Sequence, residues 1–234
     1  MPTKPKKRAA KKAATVLVLR TCAADMSSHN GFKWPTKGPV KCDDWKPVKA
    51  CGNGLHGFLW GEGDGTLASF DESAKWLVVE VLASEIVDLE AKVKFPRGTV
   101  VFCGSRFDAT KYIAARAPNT VKAIIGGTST SGYGGTSTSG YGGTSTSGYR
   151  GTSTSGDGGT STSGDGGTST SGDGGEIRIR WWDDKTTRYR TAVGYIGEDG
   201  LLAGVAYCCR VGKFYRKDEK DAAAPVMPEG EEPR

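Results

Sequence analysis

The chain has 234 residues, 36% of them hydrophobic and 25% charged, with a formal charge of +6. No stretch approaches the roughly 20 consecutive apolar residues that a membrane-spanning helix needs, and "VLVL" is too short for the apolar region of a secretion signal. A soluble, cytoplasmic protein with reduced thiols and no membrane partner is expected, built from two aliphatic islands separated by a repeat.

The predicted organisation is a basic tail over 1–14, an α+β globular domain over 15–125, an octapeptide-repeat β-solenoid over 126–175, a β-strand cap over 176–216 and a tail over 217–234. The first tail gathers Lys4, Lys6, Lys7, Arg8, Lys11 and Lys12, a density of charge that holds phosphates without sequence preference. Weak, non-specific nucleic-acid binding is the expectation for it, beside a plain solvated tail.

"TVLVLR" reads as a buried strand ending at Arg20, and "HNGFKWPTKGPVKCDDWKPVKACGNG" as a long irregular excursion anchored by Trp34 and Trp45. "GLHGFLW" is a strand, "SFDESAKWL" a short helix capped by Ser69 and Glu72, and "WLVVEVLA" and "GTVVFCG" are strands. "DATKYIAARA" is a helix started by Asp108 and stopped by Pro118. After the repeat, "EIRIRWW" alternates Ile177, Ile179 and Trp181 against charges, and the following strands are expected to turn at Asp199-Gly200. Cys208 and Cys209 then point to opposite faces of one strand.

No metal is expected. His29, Cys42, Cys51 and His56 are nitrogen and sulfur donors without the close pairing of a structural zinc site.

The unit G-T-S-T-S-G-(Y/D)-G runs six times from Gly127 to Gly174 in an unbroken frame, with Arg150 replacing one closing glycine. Gly/Ser composition alone describes a flexible linker. Alternation of threonine with serine describes something else: in an extended chain the serines share one face and the threonines the other. Glycines then fall where turns need positive φ. Two octapeptides would form one flattened coil of about 16 residues, with coils stacked about 4.8 Å apart, serines inside and threonines in outward ladders. The tract resembles the repeats of bacterial ice-nucleation proteins, which carry T-x-T and a recurring tyrosine in such a coil. The Asp-Gly-Gly segments are similar to calcium-binding β-rolls, but the period is eight rather than nine. Stacking would place Tyr133 and Tyr149 on one edge with Asp165, and Tyr141 on the other with Asp157 and Asp173. Self-association through the tyrosines, giving a homo-oligomer, is expected.

The runs "NGFKWPTKGPV", "CGNGLHGFLWGEGDG" and "VVEVLASEIVDLEAKVKF" resemble an uncharacterised family found mostly in phages and prophages. That resemblance implies a phage context and no established activity; a binding or scaffolding protein without cofactor is expected, engaging a host or phage protein through its globular domain and using the solenoid as a stiff spacer. An alternative is an ADP-ribosyltransferase-like enzyme using NAD: the strand order loosely resembles that fold, with Arg20 on phosphate, His56 on the ribose, and Glu80 or Glu85 supporting the reacting centre. A further alternative is a weak ice-binding surface made by Thr128, Thr130, Thr136, Thr138, Thr144 and Thr146.

Overall fold

The computed structural model describes residues 13–121 and 123–218. The basic residues singled out in the first tail lie outside them.

The first island forms a seven-stranded sheet from β1 (Thr15–Cys22), β2 (Gly38–Lys41), β3 (Leu55–Leu59), β4 (Lys75–Leu82), β5 (Val87–Asp88), β6 (Val93–Phe95) and β7 (Arg97–Gly104). Their order is β2-β7-β4-β1-β3-β6-β5, and every pairing is antiparallel. β1 and β4 are central and covered on both faces, which is why they read as near-continuous apolar runs rather than alternating ones. One face buries Val18, Leu55, Leu77, Val79, Phe95 and Val100 beneath Trp34 of the excursion. The other buries Leu17, Leu19, Trp76 and Val78 against Ala109 and Ile113 of α1 (Arg106–Ala114), the single α-helix among the described residues.

Two local expectations are corrected. α1 is capped by Ser105, whose hydroxyl accepts from the Asp108 backbone N–H, so Asp108 sits inside the first turn. "SFDESAKWL" forms no helix. Asp71 accepts from both the N–H and the hydroxyl of Ser73, and this turn delivers the chain directly into β4. Ser69 instead donates its N–H to Thr21 Oγ1.

The repeat is a solenoid of three 16-residue coils, as its frame predicts, and a flexible linker is excluded. β8 (Thr128–Thr130), β10 (Thr144–Thr146) and β12 (Thr160–Ser163) stack in parallel register on one side. β9 (Thr136–Thr138), β11 (Thr152–Thr154) and β13 (Thr168–Thr170) do so on the other. The turns pass through left-handed backbone at Gly134, Gly142, Gly158 and Gly166, and Arg150 takes the same conformation at φ 56°. That position favours glycine by about 1 kcal/mol or more.

Serine fills the narrow interior. Ser145 donates to Ser137 at 2.9 Å, Ser155 and Ser171 share a hydrogen bond at 2.8 Å, and Ser161 donates to the Ser153 carbonyl at 2.8 Å. The hydroxyls of Ser131, Ser139 and Ser147 are buried without a partner among the described residues.

Both ends of the solenoid are closed by apolar residues. At the start, Ile125 belongs to the domain core, Gly140 donates to the Ile124 carbonyl, and Gly126 to that of Tyr141. At the other end, β14 (Glu176–Asp183) continues the stack in parallel on β12, laying the fully buried Ile177 and Ile179 over the last coil. β15 (Arg188–Tyr195) pairs with β14, and β16 (Tyr207–Arg210) with β17 (Lys213–Arg216), while β16 also meets β13. The Asp199-Gly200 turn therefore lies in the connection between β15 and β16. The two hairpins turn instead at 184–187 and at Val211-Gly212. Cys209 is buried and Cys208 half-buried, as alternation predicts.

Candidate functional site: two threonine ladders

Each strand carries a T-S-T segment, which contributes two outward threonines flanking one inward serine. Parallel register lines these up as columns. On one side Thr128, Thr144 and Thr160 form a column beside Thr130, Thr146 and Thr162. On the other side Thr136, Thr152 and Thr168 stand beside Thr138, Thr154 and Thr170. Neighbouring rungs repeat every ~4.8 Å and the two columns lie ~6.7 Å apart. Each face is thus a small two-dimensional lattice of hydroxyls and methyls. β-Branching restricts the threonine χ1 rotamers, so the hydroxyls are held in place before any ligand arrives.

The two faces are not equivalent. Thr128, Thr130 and Thr144 are exposed, and Thr146, Thr160 and Thr162 half-buried, so the β8–β10–β12 face is open. Its lattice ends where Glu176 and Arg178 of β14 take the next positions in the two columns and pair with each other. On the opposite face Thr168 is buried and accepts a hydrogen bond from Lys217 Nζ at 2.8 Å, which breaks the pattern at its last rung. Thr152 and Thr154 of the second coil and Thr160, Thr162, Thr168 and Thr170 of the third extend the set named from sequence, and the repeat frame itself is the signal that identifies them.

The tyrosines divide. Tyr133 and Tyr149 stack at 5.5 Å between ring centroids on one edge and are exposed by 75% and 39%. Asp165 follows on that edge, its carbonyl accepting from Arg150 N–H at 2.9 Å. Tyr141 is different: it packs on Phe70 at 5.3 Å and fills the space over Gly65. It therefore docks the solenoid to the sheet domain and is not a free association contact.

The residues assigned to an ADP-ribosyltransferase site do not converge. Arg20 and His56 line one cavity, with Arg20 Nη1 donating to the His56 carbonyl at 3.4 Å. Glu80 lies on the opposite face of β4 from Leu77, the register partner of Arg20, and accepts from Thr15 Oγ1 at 3.1 Å. Glu85 is engaged by Arg97 at 2.5 Å. Side-chain alternation along β4 is the physical reason for the separation. Burial together with Lys92, Arg20 and Lys94 lowers the His56 pKa to about 4, so its imidazole is neutral at pH 7.

All six cysteines are free thiols, and burial pushes Cys22 and Cys209 up to about 11. No group of three or more His, Cys, Asp or Glu side chains suited to a metal ion occurs among the described residues. No helix among them is long and apolar enough to cross a membrane.

A family model described as a domain of unknown function, DUF7666, matches residues 16–115, the sheet domain and its helix. No solved structure matches the chain. Eight curated relatives match, and each is named an ice nucleation protein. That of Xanthomonas campestris pv. translucens is 49% identical over 105 residues, 44% of this chain and 7% of the relative. The ice nucleation protein InaU of Pantoea ananas is 44% identical over 100 residues, 42% of this chain and 10% of the relative. That of Pseudomonas syringae pv. syringae is 43% identical over 117 residues, 49% of this chain and 9% of the relative. The chain thus spans a tenth or less of the length of these three relatives. Their names support the likeness of the repeat to ice-nucleation proteins. They overturn the expectation of a phage-type binding or scaffolding protein, for which neither these relatives nor the matching domain gives support, and nothing among them points to ADP-ribosylation.

Proposed function

We propose that the solenoid binds ice through the β8–β10–β12 face. The observation that carries this reading is the in-register stacking of Thr128, Thr144 and Thr160 beside Thr130, Thr146 and Thr162, a neutral, repeating lattice of hydroxyls and methyls that can order a layer of water. The names of the curated relatives support it.

Area sets the strength. Three rungs cover only ~10 Å along the stack, far less than a template for nucleating ice requires, so the activity is modification of crystal growth rather than efficient nucleation. Placing a hydrated ammonium in the lattice disrupts it without touching the serine interior.

The test is crystal shaping and thermal hysteresis with the full chain and two double variants, Thr144→Lys/Thr146→Lys on the open face and Thr152→Lys/Thr154→Lys on the other. Wild type should facet growing crystals, the first variant should lose the effect, and the second should keep most of it. A wild-type protein whose crystals match those in buffer overturns the proposal.

A further inference from the structure

Two unusual segments of the first domain, "SHNGFKW" and "CGNGLH", play no part in the threonine ladders, yet they meet. Ser28, Phe32 and Trp34 from the first, and Asn53 and His56 from the second, wall one cavity of about 730 Å³ with Arg20. That is the size of an ordinary small-molecule site.

Arg20 is the anomaly. On β1 it occupies the same stripe as Val18 and Cys22, which are 0% and 4% exposed, where the strand pattern calls for an apolar residue. None of the ion pairs among the described residues involves it. Its contacts are one long hydrogen bond to the His56 carbonyl and the Trp34 ring, 5.6 Å from the guanidinium carbon. Arg20 Nε and His56 Nε2 are both buried without a partner. Arg20 is itself half-buried, and a charge held there without a counter-charge is unfavourable. A ligand that supplies the counter-charge would relieve that cost.

The walls are built to hold their shape. Lys94, fully buried, donates to the Ala50 and Gly52 carbonyls at 2.8 and 3.2 Å and fixes the second segment from behind. Both segments run through left-handed backbone, at Asn30 and Gly31 in one and at Gly52, Asn53 and Gly54 in the other. Lys92 adds positive charge to the lining. Two acids also line the cavity, both at exposed positions: Asp44 accepts from Asn53 at 3.4 Å, and Asp43 faces Lys41 at 3.8 Å.

We propose that this cavity binds a small organic oxyanion, a carboxylate or a phosphate ester, whose oxygens take the planar fork of Arg20 while its carbon body lies among Phe32, Trp34 and Leu55. A guanidinium suits this task because it presents paired N–H donors to two oxygens at once, which an ammonium cannot.

The experiment follows the Arg20 Nε–H resonance of the full-length protein while inorganic phosphate, phenyl phosphate or benzoate is added at ionic strength held constant with chloride. A saturable shift with phenyl phosphate or benzoate, tighter than with inorganic phosphate, is expected, and the tighter of the two identifies the class. Followed through the indole N–H of Trp34, which lines the same cavity, Arg20→Lys should weaken that binding about tenfold, as expected when the fork is lost and the charge kept, and Arg20→Met should abolish it. The absence of a saturable shift with any of the three probes overturns the proposal, as does unchanged affinity in Arg20→Lys. That comparison decides the matter even where Arg20→Met fails to give a native spectrum.

Discussion

The sheet domain and the solenoid reach order by opposite means. In the first, Leu19, Leu77, Val78 and Phe95 are wholly removed from water, and burial of aliphatic and aromatic surface at about 25 cal/mol per Å² holds the strands together. In the second, Ser145, Ser153, Ser161 and Ser169 occupy the equally buried positions and offer almost no apolar area. Hydrogen bonds from coil to coil carry it, such as Ser131 N–H to the Thr146 carbonyl and Ser147 N–H to that of Thr162, both 2.9 Å. Each is worth only about 1 kcal/mol net. A serine-filled coil therefore depends on its ends. Ile125 on one side and Ile177 and Ile179 on the other supply the apolar contact that the coils lack.

The sharpest way to break this comparison is to disturb register. Four residues inserted after Arg150 put the later coils out of phase with the earlier ones, whereas sixteen add one whole coil. The four-residue insertion should abolish slow hydrogen exchange at Ser131 and Ser147, and the sixteen-residue insertion should preserve it. Equal protection in both would show that the coils do not depend on shared edges.

Point substitutions give the next contrast. Leu77→Ala, in the sheet core, should cost about 2–5 kcal/mol. Ser161→Ala, equally buried, removes one hydrogen bond and should cost only about 0.5–1.5 kcal/mol. Urea unfolding of the two variants measures both. Comparable losses would mean that the serine hydroxyls hold far more of the solenoid than this account allows.

The smallest effect concerns the turn. Arg150→Gly relieves left-handed backbone at a position where all five other copies already have glycine, while losing the stacking of the guanidinium at 5.2 Å from the Tyr149 ring. A net gain of about 0.5 kcal/mol is expected, read as a rise in Tm. A loss would show that Arg150 is held by more than its ring contact.

Much of this was legible in the sequence where one pattern ruled without competition. The octapeptide frame fixes coil length, the inward serines and the outward threonines together, because a period of eight satisfies strand alternation and turn placement at once. The strands of the first domain follow from their aliphatic runs. Reading failed where two local signals competed. Ser69 and Glu72 have the spacing of a helix cap, but Asp71 and Ser73 close a turn first. Asp199-Gly200 does mark a turn, yet a turn signal does not say which strands pair across it. Tyr133 and Tyr141 are identical in local sequence, and only the presence of Phe70 beside one of them separates their roles. Arg20 and His56 were placed in one site through a loose resemblance and do share a cavity, but its aromatic walls were beyond reach, because the two segments are some twenty residues apart in the chain and are joined only by the folding of the excursion over the sheet.

The stacking of β14 on β12, with α1 and Ile125 closing the opposite end, gives the gene a simple arithmetic. The coils share one 16-residue frame and one stacking register. Duplicating sixteen codons between them would lengthen both threonine faces by one rung, ~4.8 Å, with no residue elsewhere obliged to change. The reach of the lattice is a copy number, adjustable by slippage during replication in a tract whose DNA is itself repetitive, while the domains at its ends remain under ordinary selection.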